Sequence, residues 1–207
     1  MISKNFAISL FFPKRCKFCE TVIDYRETIC PECKENIPRI SGDVCNKCGC
    51  EKTVCNCGKK AKFYASAYAP YHYDGAPREA IKRLKFHNGK HLVENLSEDM
   101  ATCFNERYKE LEFDFCTFVP AHKSTVKKRG YNQAELLCKS LSEKINVPFC
   151  NLLKKDFKTA SQRTLNEAAR KGNVLGAFSL RPEMKEKIRD ARILLCDDVK
   201  TTGSTLD

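Results

Sequence analysis

Four closely spaced cysteine pairs near the amino terminus restrict this chain more than any other feature. Cys16 and Cys19, Cys30 and Cys33, and Cys45 and Cys48 each form a C-x-x-C knuckle, and Cys55 and Cys57 follow at a tighter spacing. A knuckle presents two thiolates from one turn, and Zn²⁺ takes four soft ligands in a tetrahedron, so two knuckles complete one site. Two structural zinc sites are expected, one at Cys16, Cys19, Cys30 and Cys33 and one at Cys45, Cys48, Cys55 and Cys57. So short a segment could not otherwise build a core. Cys50 is a ninth candidate, and the spacing leaves open which of the later thiols stands outside. No histidine lies among the pairs, which argues against a catalytic zinc.

Fourteen cysteines could also signal a secreted disulfide protein, but nine fall within the first 57 residues and mostly in close pairs, which is metal-site spacing. Phe6 to Phe12 is apolar and follows Lys4, yet it is short for a signal peptide, runs directly into Pro13, Lys14 and Arg15, and lacks a cleavage site. A short helix or strand docking on the body is the better expectation. No run approaches the roughly 20 apolar residues of a membrane helix. These features predict a cytoplasmic protein with reduced thiols and no membrane insertion.

The length of 207 residues allows one ordinary domain plus an appendage. A formal net charge of +11 points to polyanionic partners such as nucleotides or nucleic acid. Two four-thiolate zinc sites, at about −2 each, would reduce that charge to about +7.

Lys59, Lys60 and Lys62 read as a basic linker, dividing residues 1–62 from residues 63–207. Tyr64 to Tyr73 is aromatic and strand-like and turns at Asp74 and Gly75. Pro77 opens a helix with Ile81 and Leu84 inward. That helix displays Arg78, Lys82, Arg83 and Lys85, which suit either a solvated face or a polyanion contact. Leu92, Val93, Leu96, Met100 and Phe104 recur at helical spacing. Phe115 to Val119 reads as a strand, followed by a loop from Ala121 to Gln133 with four cations and no acid. A helix carrying Leu137 and Leu141 comes next, then a strand from Val147 to Cys150. Lys154 to Asn173 reads as a long polar loop, either a lid or a disordered segment. Gly176 to Leu180 reads as a strand, and Glu183 to Asp190 as a polar helical turn. Strands alternating with helices predict an α/β fold with a parallel sheet.

Ile193 to Leu195 forms the last strand, apolar without alternation, as in a parallel strand buried on both faces. Asp197 and Asp198 stand where it ends, and ligands of open α/β sheets bind beyond the carboxyl ends of strands. The following turn, Thr201, Thr202, Gly203, Ser204 and Thr205, offers a close backbone approach and hydroxyls for an anion. Adjacent carboxylates can accept hydrogen bonds from vicinal ribose hydroxyls while such a loop holds a 5′-phosphate. A buried strand running into a hydroxyl-capped helix is the plainer alternative.

This stretch resembles the motif by which type I phosphoribosyltransferases bind phosphoribosyl pyrophosphate (PRPP). The whole chain resembles the ComF family, competence-type proteins with an amino-terminal double zinc ribbon and a phosphoribosyltransferase-like domain. The resemblance rests on the knuckles, on Tyr71, Tyr73 and Gly75 leading to Leu84, Lys85 and Phe86, and on Val119 and Pro120 leading to Arg129, Gly130, Tyr131, Asn132 and Gln133. It rests also on Gln162, Leu165, Arg170, Asn173 and Gly176 to Phe178, and on the acid-pair loop. It implies a type I phosphoribosyltransferase-like parallel sheet with helices on both faces. The family pattern also implies that the domain continues beyond Asp207, so the chain reads as truncated there.

The resemblance further implies that Asp197 and Asp198 hold ribose hydroxyls and Thr201 to Thr205 the phosphate. Lys127, Lys128, Arg129 and Gly130 would face the Mg²⁺-bound pyrophosphate, with Arg163 in a lid that closes over the site. Asp197, Asp198, Arg129 and Arg163 are thus the candidate catalytic residues of a pentosyl transfer from PRPP, with no acceptor indicated. It implies a role with the DNA-uptake machinery, and the same fold could instead serve as a non-catalytic module for single-stranded DNA.

Overall fold

The computed structural model describes residues 12–55, 57, 63–156 and 177–200. Phe115–Phe118 (β1) pairs in parallel with Ile193–Cys196 (β4), with Phe115 opposite Ile193 and Phe118 opposite Cys196. Cys116, Thr117 and Phe118 are all buried, as a strand covered on both faces requires. On the other side of β1, Cys116 bridges Phe149 in parallel. The Cys116 amide donates to the Pro148 carbonyl at 2.8 Å, and the Cys150 amide donates to the Cys116 carbonyl at 2.8 Å. The expected strand at Val147 to Cys150 is therefore one short pairing. The fold is α/β, with β1 between this pairing and β4.

Helices cover this sheet because their apolar positions fall on one stripe. Gln133–Ile145 (α5) buries Ala134, Leu137, Cys138 and Leu141, the i, i+3, i+4, i+7 pattern of one helix face. Its Cys138 and Leu141 join Cys116, Phe118 and Cys196 in one apolar cluster. Asn132 caps its start by accepting from the Ala134 amide, and Asn146 ends it in the left-handed region. Val93–Arg107 (α3) packs on α5, with Ser97 and Ser140 hydroxyls 2.7 Å apart at the seam.

Gly75–Phe86 (α2) buries Pro77, Ala80, Ile81 and Leu84. Pro77 sits in the first turn, where an amide has no helical partner to lose. These side chains meet Cys16, Phe18, Cys30 and Cys33 in a second cluster with Leu92, Leu96, Tyr131 and Leu137. The cysteine-rich segment, which contains the α-helix Pro31–Asn36 (α1), thus shares a core with the body. Phe18 is fully buried and meets Tyr71 edge-on, ring centroids 5.5 Å apart. Lys17 pairs with Asp99 of α3 at 2.6 Å.

Three sequence expectations are corrected. Residues 64–73 are not a strand of the sheet, because their backbone bonds go to the cysteine-rich segment. The Ala67 amide donates to the Lys47 carbonyl at 3.0 Å and the His72 amide to the Pro38 carbonyl at 2.9 Å. Gly49, at φ +68°, lets this contact form, since a Cβ there would lie 2.3 Å from the Ala67 carbonyl oxygen. The basic loop after β1 contains a helix, Lys123–Arg129 (α4), capped by His122 and closed by left-handed Gly130. The polar stretch from Lys154 overlaps a strand, Leu153–Lys155 (β2), which pairs antiparallel with Phe178–Leu180 (β3). Lys155 stands opposite Phe178 in this pairing, with its ammonium 4.9 Å from the centre of the ring. β2 and β3 form a separate ribbon, not part of the parallel sheet. The rest of the expected lid, with Arg163, lies outside the described residues, as do Thr201 to Thr205 and, of the apolar stretch from Phe6 to Phe12, all but Phe12.

Candidate functional site

Each expected zinc group converges. The sulfurs of Cys16, Cys19, Cys30 and Cys33 all lie within 4.8 Å of one another, as do those of Cys45, Cys48, Cys55 and Cys57. The knuckle amides point at sulfur: Cys33 donates to Cys30 Sγ at 3.4 Å, and Cys57 to Cys55 Sγ at 3.5 Å. Such bonds favour thiolates, the form that binds metal. At Cys16 burial raises the pKa but backbone bonds from Cys19, Cys30 and Phe18 outweigh it, bringing the thiol down to about 6. At Cys45 the backbones of Cys48 and Lys47 bring it to about 6. Both groups fit structural Zn²⁺. The tight Cys55-x-Cys57 spacing serves as well as a knuckle, and Cys50 is the thiol left outside. None of the fourteen cysteines is in a disulfide.

Asp197 and Asp198 stand at the carboxyl end of β4. The Asp198 amide donates to Asp197 Oδ1 at 2.8 Å, closing the turn around the first carboxylate. Burial, then the neighbouring Asp198 charge, pushes the Asp197 carboxyl well above the usual carboxylate range. Asp198 is only 5 % exposed and forms an ion pair with Lys85 from the last turn of α2. Burial lowers the pKa of Lys155, and the charge of Asp197 pulls it back up, so β2 brings a second cation to the pair. Lys85 was not among the expected site residues. Its signal was its place four positions after buried Ile81, at the edge of the apolar stripe.

The segment from Arg129 to Gln133 holds α4, α5 and α2 together. Arg129 donates to Gln133 and lies over the ring of Phe86, 5.5 Å from its centre. Tyr131 donates its hydroxyl to the Leu84 carbonyl at 2.5 Å, and Asn132 donates to the Val119 carbonyl at 3.1 Å. Lys128 precedes Arg129 at the end of α4, and Gly130, at φ +86°, makes the turn. The end of α2 thus contacts both the acid pair, through Lys85, and the basic turn, through Phe86.

The double zinc ribbon domain family matches residues 7–66. Over almost its full length the chain is 31% identical to Competence protein F of Haemophilus influenzae, a match covering 95% of this chain and 89% of that protein. This chain belongs to the ComF family. Competence protein ComFC of Bacillus subtilis is 24% identical over 192 residues, covering 87% of this chain and 75% of that protein. The DNA utilization protein YhgH of Escherichia coli is 26% identical over 195 residues, covering 92% and 80%. No solved structure matches the chain.

The ComF-family chain also places three buried thiols together beneath the acid pair. Cys116 Sγ lies 3.2 Å from Cys138 Sγ and 3.6 Å from Cys196 Sγ. Three thiolates around one ion would leave negative charge in an apolar cluster of Phe118, Leu141 and Val147. Hydrogen bonds from Cys138 and Cys196 bring the Cys116 thiol down to about 5 and push the other two thiols up, so the group packs as one sulfur accepting from two thiols. A cavity of about 870 Å³ is lined by Phe113, Asp114 and Arg192 at the amino ends of β1 and β4. That is the opposite end of the sheet from Asp197 and Asp198. Among the described residues no helix is long and apolar enough to cross a membrane.

Proposed function

We propose that this ComF-family protein binds PRPP with Mg²⁺ beyond the carboxyl end of β4 and serves in the uptake or use of DNA. The observation that carries the reading is the buried pair Asp197 and Asp198 at the end of a parallel strand, with Lys85 paired to Asp198. Two adjacent buried carboxylates have little use in a site that binds only phosphate, whereas a ribose offers vicinal hydroxyls to them. The relatives' names, Competence protein F and DNA utilization protein YhgH, support the cellular role.

In this reading Asp197 and Asp198 accept from the ribose hydroxyls, Thr201, Thr202, Gly203, Ser204 and Thr205 hold the 5′-phosphate, and Lys128, Arg129 and Gly130 face the pyrophosphate. Mg²⁺ would keep several waters and substrate oxygens as ligands. Arg163 belongs to the segment that closes over the site. If transfer occurs, positive charge builds on the ribose ring and negative charge on the departing pyrophosphate. Fixed carboxylates and cations then lower the barrier. Calorimetry of the zinc-loaded protein with PRPP and Mg²⁺ tests this, with saturable binding expected. Absence of binding, with the protein folded and zinc-loaded, would remove the reading.

One observation favours a second reading, a module for single-stranded nucleic acid. Phe86 is 55% exposed beside Arg129, a pairing of aromatic face and cation on which a base can stack. Phe86→Ala should then weaken an oligodeoxythymidylate about tenfold and PRPP less, through the lost contact with Arg129 alone. Arg83 contributes less to such a surface than its sequence suggests, because it turns toward Glu20 of the first ribbon, 3.5 Å away.

A further inference from the structure

The second of the two residues between the acid pair and the threonines has a distant partner. Lys200 Nζ donates to the Cys48 carbonyl at 2.8 Å and lies 3.7 Å from Cys50 Sγ. Cys48 is one of the four converging thiols of the second ribbon, and Cys50 is the thiol that ribbon leaves over. Just before it, Val199 packs on the cluster containing Cys16, Cys30 and Cys33, and Asp198 is paired with Lys85. Three consecutive residues are therefore held at three places: Asp198 by α2, Val199 by the core shared between the body and the cysteine-rich segment, and Lys200 by the second ribbon.

A knuckle carbonyl keeps its direction only while the knuckle is folded, and in modules of this size the metal supplies most of the folding energy. A carbonyl fixed by a metal site is a firm acceptor for an ammonium, and a bond to a charged donor is among the stronger ones. Cys50, which binds no metal in this arrangement, presents its sulfur on the same side, so the lysine is held at two points. A methionine at position 200 could fill the same space without donating to either.

We infer that Lys200 is a positioning residue through which the zinc-loaded second ribbon holds the start of the phosphate loop. The inference rests on the PRPP reading for what the loop binds, but the anchor itself does not. Coupling between two sites is reciprocal. Zinc in the second ribbon should tighten PRPP, and bound PRPP should tighten zinc in that ribbon by the same factor, on the order of tenfold, with slower release of the metal as the readout. The first ribbon, which Lys200 does not touch, should be indifferent to the substitution.

The test follows zinc release to a zinc-selective chromogenic chelator, with pulse alkylation and peptide mass spectrometry separating Cys45–Cys57 from Cys16–Cys33. Lys200→Met should expose the Cys45–Cys57 thiols about tenfold faster and leave the other peptide unchanged. Lys200→Arg should restore the slow rate. PRPP with Mg²⁺ should slow release in the wild type and in the arginine variant, and not in the methionine variant. Equal release in wild type and Lys200→Met overturns the anchor, as does equal acceleration at both peptides. Faster release in Lys200→Met without any calorimetric PRPP binding upholds the anchor and removes the PRPP reading alone.

Discussion

Lys85, in the last turn of α2, is ion-paired with Asp198, the second acid after β4, in a setting where the carboxylate is 5% and the lysine 20% exposed. A charge so enclosed depends on its partner more than a surface pair does. Lys85→Met should therefore cost about 3 kcal/mol of unfolding free energy, measured by urea denaturation of the zinc-loaded protein. Adding Asp198→Asn to it should recover part of that loss, because no charge is then stranded. Additive losses would show that the pair is not coupled.

Asp198→Asn separates the two functional readings. It removes charge-assisted hydrogen bonds worth about 1.5–3 kcal/mol to a ribose, so PRPP should weaken about tenfold to a hundredfold. Single-stranded DNA should bind unchanged or slightly tighter, since a negative charge is gone. Unaltered PRPP affinity would make the acid pair structural. Parallel loss of both ligands would place them in one site.

Zinc removal should reach beyond the ribbons. Cys16, Cys30 and Cys33 belong to the same cluster as Leu84 of α2 and Leu137 of α5. Metal analysis of protein purified without chelator should give two zincs per chain, one for each four-thiol group. Chelation should then raise amide exchange in α2 as well as in residues 16–57. Protection of α2 unchanged by chelation would mean that the body holds its core alone.

Phe18 is wholly buried, and among the described residues it is the largest fully buried side chain. Phe18→Ala should cost about 3 kcal/mol and keep a single unfolding transition at lower denaturant. Two separated transitions would show that ribbon and body unfold independently.

Tyr131→Phe removes the hydroxyl that donates to the Leu84 carbonyl. The expected loss is about 1 kcal/mol, with zinc content unchanged. The same substitution frees the turn that carries Arg129, so any PRPP affinity should fall with it.

What the sequence revealed depended on how local each signal was. The zinc groups were legible because each knuckle is a short-range pattern, and the acid pair because an apolar run ending in two carboxylates marks the end of a parallel strand, although Ile193, Leu194 and Leu195 are only half-buried where burial on both faces was expected. Residues 64–73 misled because alternating aromatics do not say which backbone they pair with, and theirs pair with Lys47 and Pro38. α4 was hidden because none of its seven residues is buried, so no apolar period exists to read. β2 was hidden because Lys154 and Lys155 look polar until the Lys155 ammonium is placed over Phe178 across the ribbon. The ion pair of Lys85 and the anchor of Lys200 join positions far apart in the chain, which no local pattern carries.

The neighbouring strands β1 and β4 impose an order on biosynthesis. Cys116 and Cys196, which touch in the finished sheet, are 80 residues apart. A nascent chain at about 5–20 residues per second must therefore wait several seconds after β1 leaves the ribosome before its partner follows. During that interval one edge of β1 and the thiols of Cys116 and Cys138 lack the cover that β4 provides. The cysteine-rich segment emerges well before this and can take up metal while the sheet is still open. The ribbons could then act as an early platform, ready to receive Val199 and Lys200 when the last strand closes.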